Sequence, residues 1–295
     1  MAISRRRRRL GGALAAAAVV VAVALAGGHL LADPAAPASA RVLDGRRHPV
    51  PEGARLVFRD EFDGDQLVTR RWNDCHWWAV DGGCTIMTNN ELQWYRPGNV
   101  SVANGRLRLQ AREEAVEVPD GRSFAYTSGM VTTGPAYGVD GRPVKRAFTY
   151  GYVEARLRLP SDTGLWPAFW MLPADEESEP EIDILETIDD RTTEARFHFH
   201  YQDGSDERSL GHTFRGPDLG VGWHRVAVDW RPGRLTWIVD GRARWQVTGE
   251  AVPDEPMYLV LNLAVGGDYP EPPDETTDLP ASVKVDWVRV WQRRS

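Results

Sequence analysis

Cysteine is scarce in this chain: Cys75 and Cys84 are the only two among 295 residues. Neither has neighbours patterned for metal ligation or thiol catalysis. Lysine is nearly absent, and Lys145 and Lys284 are the only two among 35 basic residues. We read that as genome bias, not chemistry. No amphipathic pattern lasts three helical turns, which argues against a helical fold. No internal repeat and no Ser/Thr/Pro linker divides the chain, so one domain is expected. Net positive charge is also missing. The formal charge is −7, and removing residues 1–40 takes away five Arg and one Asp and leaves −11. Phosphate backbones repel such a surface, so nucleic acid is not expected as a partner.

Only one long apolar run occurs. Arg5 to Arg9 form a positive n-region, Leu10 to Ala26 are uninterrupted Ala, Val, Leu and Gly, and Ala38-Ser39-Ala40 is a small-x-small cleavage site. A signal peptide over residues 1–40 and a secreted protein starting at Arg41 are expected. No charge interrupts Leu10 to Ala32, so an uncleaved membrane anchor is the alternative. Export favours a Cys75–Cys84 disulfide closing a short loop through Trp77 and Trp78, with two free thiols as the alternative.

Strand-like runs with period-two alternation fill the rest. They include 56–58, 100–102, 107–109, 129–133, 152–159, 195–201, 224–230, 235–240, 257–262 and 283–291. Asn104-Gly105, Asp120-Gly121, Asp140-Gly141, Pro232-Gly233 and Asp240-Gly241 punctuate them as turns. Many short strands with Gly/Pro turns predict an all-β sandwich or barrel. We place a short lead-in at 41–51 and a single domain at 52–295. Twelve Trp is a surplus, and flat apolar rings serve both cores and sugar-binding surfaces.

The segment carrying the chemistry is Glu181-Ile182-Asp183-Ile184-Leu185-Glu186. Alternation puts Glu181 and Asp183 on one face and Ile182 and Ile184 on the other. Glu186 is out of phase, because five is an odd step. A β-bulge at Ile184-Leu185 would return it to the carboxylate face. Alternating Glu and Ile is also what an ordinary half-buried strand shows. Against that, no cation occurs between Asp175 and Arg191, and Trp166 and Trp170 precede the acids by a hairpin's length. With one residue lost to the bulge, Glu181 and Glu186 are about 13 Å apart at Cα, at about 3.3 Å per residue. Inward-leaning side chains could approach the roughly 5–5.5 Å of a retaining glycosidase.

With those residues in view, the chain resembles glycoside hydrolase family 16, especially its laminarinase-like β-1,3-glucanases. Six ordered blocks carry the resemblance: 56–64, 89–100, 150–156, 166–172, 262–267 and 286–291, around the hexapeptide. The resemblance implies a concanavalin-like β-jelly roll of two antiparallel sheets with a concave substrate cleft. It implies Glu181 as nucleophile, Glu186 as general acid/base, and Asp183 holding Glu181 and keeping the acid's proton affinity raised. Trp166 and Trp170 are expected to stack on sugar rings, Asn90 and Glu91 to bind hydroxyls, and His200 to lie near the acid/base. Tyr269 stands where the family usually has another aromatic, in Asp268-Tyr269-Pro270-Glu271, and after Glu186 the chain reads Thr187-Ile188-Asp189. Both departures alter the cleft, so glucan preference is less determined than reaction type. No cofactor is required for the chemistry. The family's structural calcium would fall on Glu61, Gly105 and Asp286. The expected protein is a monomeric, exported endo-β-glucan hydrolase acting on polysaccharide. The alternatives are a hydrolase of another β-linked polymer such as galactan or agar, a transglycosylase, and a non-catalytic carbohydrate-recognition protein.

Overall fold

The computed structural model describes residues 37–75, 85–118, 121–135, 144–175 and 178–294. The described residues fall in one unit, 36–295. In chain order the strands are β1 (Ser39–Val42), β2 (Arg55–Asp60), β3 (Gln93–Tyr95), β4 (Val100–Val102), β5 (Leu107–Glu117) and β6 (Ser123–Ser128). Then come β7 (Met130–Thr132), β8 (Gly151–Arg158), β9 (Leu165–Pro173), β10 (Glu181–Glu186), β11 (Glu194–Asp203) and β12 (Asp206–Arg215). The last are β13 (His224–Arg231), β14 (Arg234–Val239), β15 (Arg242–Thr248), β16 (Met257–Val265) and β17 (Ala281–Gln292). Among the described residues there is no α-helix, as the missing helical periodicity predicts.

The strands form two sheets. One runs β1-β15-β14-β13-β8-β17-β5-β6-β3, with β2 added beside β17 and β4 beside β5. The other runs β12-β11-β10-β9-β16-β7. Almost every pairing is antiparallel, β3 with β6 being parallel. This is a jelly-roll sandwich. Its core is built from the alternate residues of both sheets: Phe169, Ile182, Ile184, Phe197, Phe199 and Leu261 from the six-stranded sheet, Leu107, Val153, Val228, Trp237, Trp245 and Val285 from the other. Burial follows the alternation. In β11, Ala195, Phe197, Phe199 and Tyr201 are buried, while Arg196, His198 and His200 lie half-buried on the outer face.

The lead-in is part of the sandwich. β1 pairs with β15 from Ser39↔Thr248 to Val42↔Trp245, Ala38 is buried, and the Ala251 N–H donates to Pro37 O. The cleavage point expected after Ala40 thus lies in the middle of a hydrogen-bonded strand. Cys84, the expected partner of Cys75, lies outside the described residues.

Candidate active site

The acidic hexapeptide is β10, flanked by β9 and β11. Against β11 its register is Glu181↔His200, Ile182↔Phe199, Asp183↔His198 and then Glu186↔Arg196. Three residues on β10 advance while two advance on β11, which is one inserted residue. Against β9 the slip falls between Asp183↔Trp170 and Leu185↔Phe169. The bulge therefore sits at Ile184. Ile184 and Leu185 both point into the core, and the partners of the acids are 200, 198 and 196, all of one parity. Glu181, Asp183 and Glu186 consequently share the outer face.

Bulges free backbone groups from the ladder. Here the Asp183 carbonyl accepts a 2.7 Å hydrogen bond from Trp237 Nε1 on β14. The opposite sheet thus reaches through the core and holds β10 where its register slips.

Two hydrogen-bonded arms organise the acids. In the first, Glu186 Oε1 accepts from Trp166 Nε1 at 2.8 Å, and Glu186 Oε2 lies 2.6 Å from His198 Nδ1. In the second, Glu181 is hydrogen-bonded to Asp183, whose Oδ2 lies 3.3 Å from His200 Nε2. Burial pushes the Glu181 carboxyl well above the usual range, reinforced by Asp183 and then Glu186. Three acids on one face cannot all ionise freely, and the resolved upward shift falls on Glu181. Desolvation works against a charged ring at both histidines, yet the facing carboxylates raise them: Glu186 chiefly for His198, Asp183 chiefly for His200.

Tyr269 caps this cluster. It is 50% exposed, stacks on Trp166 with centroids 5.3 Å apart, and meets the His198 ring edge-on at 6.4 Å. Trp166 thus holds the Glu186 carboxylate through its N–H, and Tyr269 presents the open aromatic surface. Asn90, in a left-handed turn, donates to Asp268 Oδ1 at 2.8 Å and ties its loop to the one carrying Tyr269.

Several expected roles do not survive the geometry. Trp170 is only 5% exposed; it packs with Tyr95, Met130, Leu172, Tyr258 and Val260, and its Nε1 donates to Asn262 Oδ1. Alternation put it on the cleft face, but β3 with Tyr95 packs over that part of the face, so it is core and not a sugar platform. Glu91 is buried and accepts from Gln93 Nε2 at 2.5 Å and Asn89 Nδ2 at 3.3 Å. Burial pushes its carboxyl up to about 7. It braces its loop from inside, where no sugar hydroxyl reaches. The two carboxylates of the calcium set have other partners. Glu61 is held by Arg289 through two hydrogen bonds of 2.9 and 2.7 Å, and Asp286 pairs with Arg156. A cation bound through those two side chains would have to displace two guanidinium groups.

His198, Trp237 and Asn262 were missed. His198 was legible, since it lies two residues before His200 in an alternating strand. Trp237 and Asn262 act across sheets and strands far apart in sequence, and no local signal marks them. Asp183, His198 and His200 bring ligand-type atoms within 4.8 Å of one another. His200 is hydrogen-bonded to Asp183 and His198 to Glu186, so the ligand-type atoms already have proton partners. A cavity of about 760 Å³ lies on the outer face of the other sheet, lined by Tyr152, Glu154, Arg225 and Arg242, away from the acids.

Comparison with known proteins agrees with this fold. The family model of glycosyl hydrolases family 16 matches residues 88–289. The endo-1,3-1,4-β-glycanase EglC of Rhizobium meliloti is 32% identical over 249 residues, covering 80% of this chain and 51% of that protein. The chain thus spans about half the length of the first such relatives. The endo-β-1,3-glucanase structure from Pyrococcus furiosus aligns with TM-score 0.71 at 35% identity, covering 82% of this chain and 95% of that one. The laminarinase catalytic domain of Thermotoga maritima aligns with TM-score 0.72 at 32% identity, covering 83% and 100%. With two thirds of its length matched and the three acids on one face of a bulged strand, the chain belongs to glycosyl hydrolase family 16.

Proposed function

We propose that this protein is an exported endo-acting hydrolase of β-1,3- or mixed β-1,3/1,4-glucan that works by double displacement with retention. The observation that carries the reading is the bulge, which brings Glu181, Asp183 and Glu186 onto one outer face. The named activities of EglC and of the two aligned glucanase structures support the substrate class. Tyr269 and Trp166 offer a ring platform beside the acids, as a sugar polymer requires.

The chemistry follows from the two arms. Glu186 gives a proton to the glycosidic oxygen while Glu181 attacks the anomeric carbon. That bond forms as the bond to the leaving oxygen breaks. Glu186, now a carboxylate, takes a proton from water, and the water oxygen displaces Glu181. Glu181 must lose its own proton before attacking. Asp183 is hydrogen-bonded to it, so an acceptor is in place, and the His200 ring faces Asp183 from behind. A disulfide between Cys75 and Cys84 and an N-terminal export signal complete the reading.

Laminarin and lichenan digestion tests it, with reducing ends counted and the first product followed by proton NMR. The expected result is internal cleavage with the β-anomer formed first. Binding without reducing-end release would leave a recognition protein, and longer products at high substrate would mark a transglycosylase.

A further inference from the structure

The His198 ring is built into the site from every side. On β11 it stands between Arg196 and His200. Across β10 it faces Asp183 in register and Glu186 beyond the bulge, with Nδ1 2.6 Å from Glu186 Oε2. Across β12 its register partner is Gly211. A Cβ on Gly211 would stand 2.5 Å from His198 Cδ2 and 2.8 Å from Nε2. Gly211 does not have a left-handed φ. Its backbone therefore does not demand glycine, and glycine weakens a strand. What the position supplies is room for the imidazole.

We propose that His198 is a positioning residue that shares one proton with Glu186 and keeps it available to the acid/base at higher pH than a lone carboxyl could. This rests on Glu186 being the acid/base. The groups facing the ring come from three strands and one loop. Glu186 and Asp183, with Glu181 farther along β10, favour the imidazolium. Arg196 and His200 on β11 oppose it. Gly211 on β12 and the neutral Tyr269 phenol add no charge. The balance favours the protonated ring in spite of burial.

In the resting pair the proton sits on Nδ1 and is donated to Glu186 Oε2. As the leaving oxygen gains charge, the proton passes from Nδ1 to Glu186 and from Glu186 to that oxygen. Neutral imidazole and a carboxylate remain. The proton taken from the attacking water then returns to the pair, so one proton leaves and one comes back per turnover. The basic limb of the rate profile reports loss of this shared proton. With His198 present it is lost last from a ring held by carboxylates. Without His198 the pair lacks the ring that holds this proton, and the basic limb moves to lower pH.

The test is the pH profile of kcat/KM on laminarin for wild type, His198→Gln and Gly211→Ala, with thermal unfolding as the fold control. His198→Gln should keep most of its rate on the acidic side. Its basic limb should move to lower pH by about one unit or more, a rate loss of about tenfold at the pH where wild type still holds its plateau. Gly211→Ala, by displacing the ring, should move the limb in the same direction. An unmoved limb in folded His198→Gln overturns the proposal. Histidine NMR titration judges the pairing without turnover. The His198 midpoint should fall in Glu186→Gln, and an unchanged midpoint overturns the proposal even if the protein binds laminarin without cleaving it.

Discussion

Replacing Trp237 by Phe should uncouple the catalytic strand from the sheet behind it. The indole N–H donates 2.7 Å to Asp183 O, at the residue where the bulge begins. Phenylalanine keeps an aromatic ring in the core but removes that donor. A buried carbonyl stripped of its partner costs about 1–3 kcal/mol. The ring also packs against Trp245 at 4.4 Å and Phe197 at 6.3 Å, and loosening such pairs costs about 0.5–1.5 kcal/mol more. The sum is about 1.5–4.5 kcal/mol of stability, read as a lower midpoint in urea at unchanged slope. The kinetic effect should be larger than its distance from substrate suggests. Glu181 and Glu186 flank the slip, and a shift of about 1 Å in a reacting group can cost about 100-fold. We expect kcat on laminarin to fall between about 10- and 100-fold. KM should change little, because Tyr269 and Asn90 are held by other loops. Measurement belongs at a temperature where the variant is fully folded. Lost stability with kcat intact would refute the reasoning, for the bulge would then keep its geometry unaided.

Glu181→Gln should abolish laminarin hydrolysis while leaving sugar binding by calorimetry, and azide should rescue Glu181→Gly with an inverted product; a near wild-type rate in Glu181→Gln would reject it as nucleophile. Glu154 gives a pH-dependent stability. Burial raises its carboxyl from about 4.5 to about 7, so its contribution is full below pH 4.5 and is lost as pH rises through 7. At about 1.4 kcal/mol per unit this is about 3 kcal/mol, and urea unfolding at pH 4.5 and 8 should show Glu154→Gln losing that much less than wild type. A chain beginning at Arg41 loses the Ser39↔Thr248 and Ala40↔Val247 pairs and the buried Ala38. Against a chain beginning at Ala36, its Tm should fall by roughly 4–8 °C for about 2 kcal/mol; equal Tm values would show that β1 adds nothing.

Much of this was legible before any coordinates. Period-two alternation and Gly/Pro turns sufficed for an all-β sandwich, because a strand's faces are encoded locally. The odd step from Glu181 to Glu186 left two outcomes, a buried Glu186 or a bulge, and the apolar pair Ile184-Leu185 fits only the second. The strands of 206–215 and 242–248 carry the same alternation, with Leu210, His212 and Phe214 in one and Ala243, Trp245 and Val247 in the other turned inward, but they lie outside the expected runs.

Local pattern tells which face a side chain takes, and it is silent on what covers that face. Trp166 and Trp170 share the outer face of β9, yet one donates to Glu186 and the other lies under Tyr95. Glu61 and Asp286 had the right chemistry for calcium until Arg289 and Arg156 reached them from adjacent positions in the sheet. Glu91 looked like a sugar ligand until its loop folded over it. The sequence by itself determined the three acids, their common face and the need for a bulge. Tertiary structure decided that Trp237 holds that bulge, that His198 faces Glu186, and that Gly211 leaves it space. Those partners come from strands distant in the chain, and only sheet pairing brings them together.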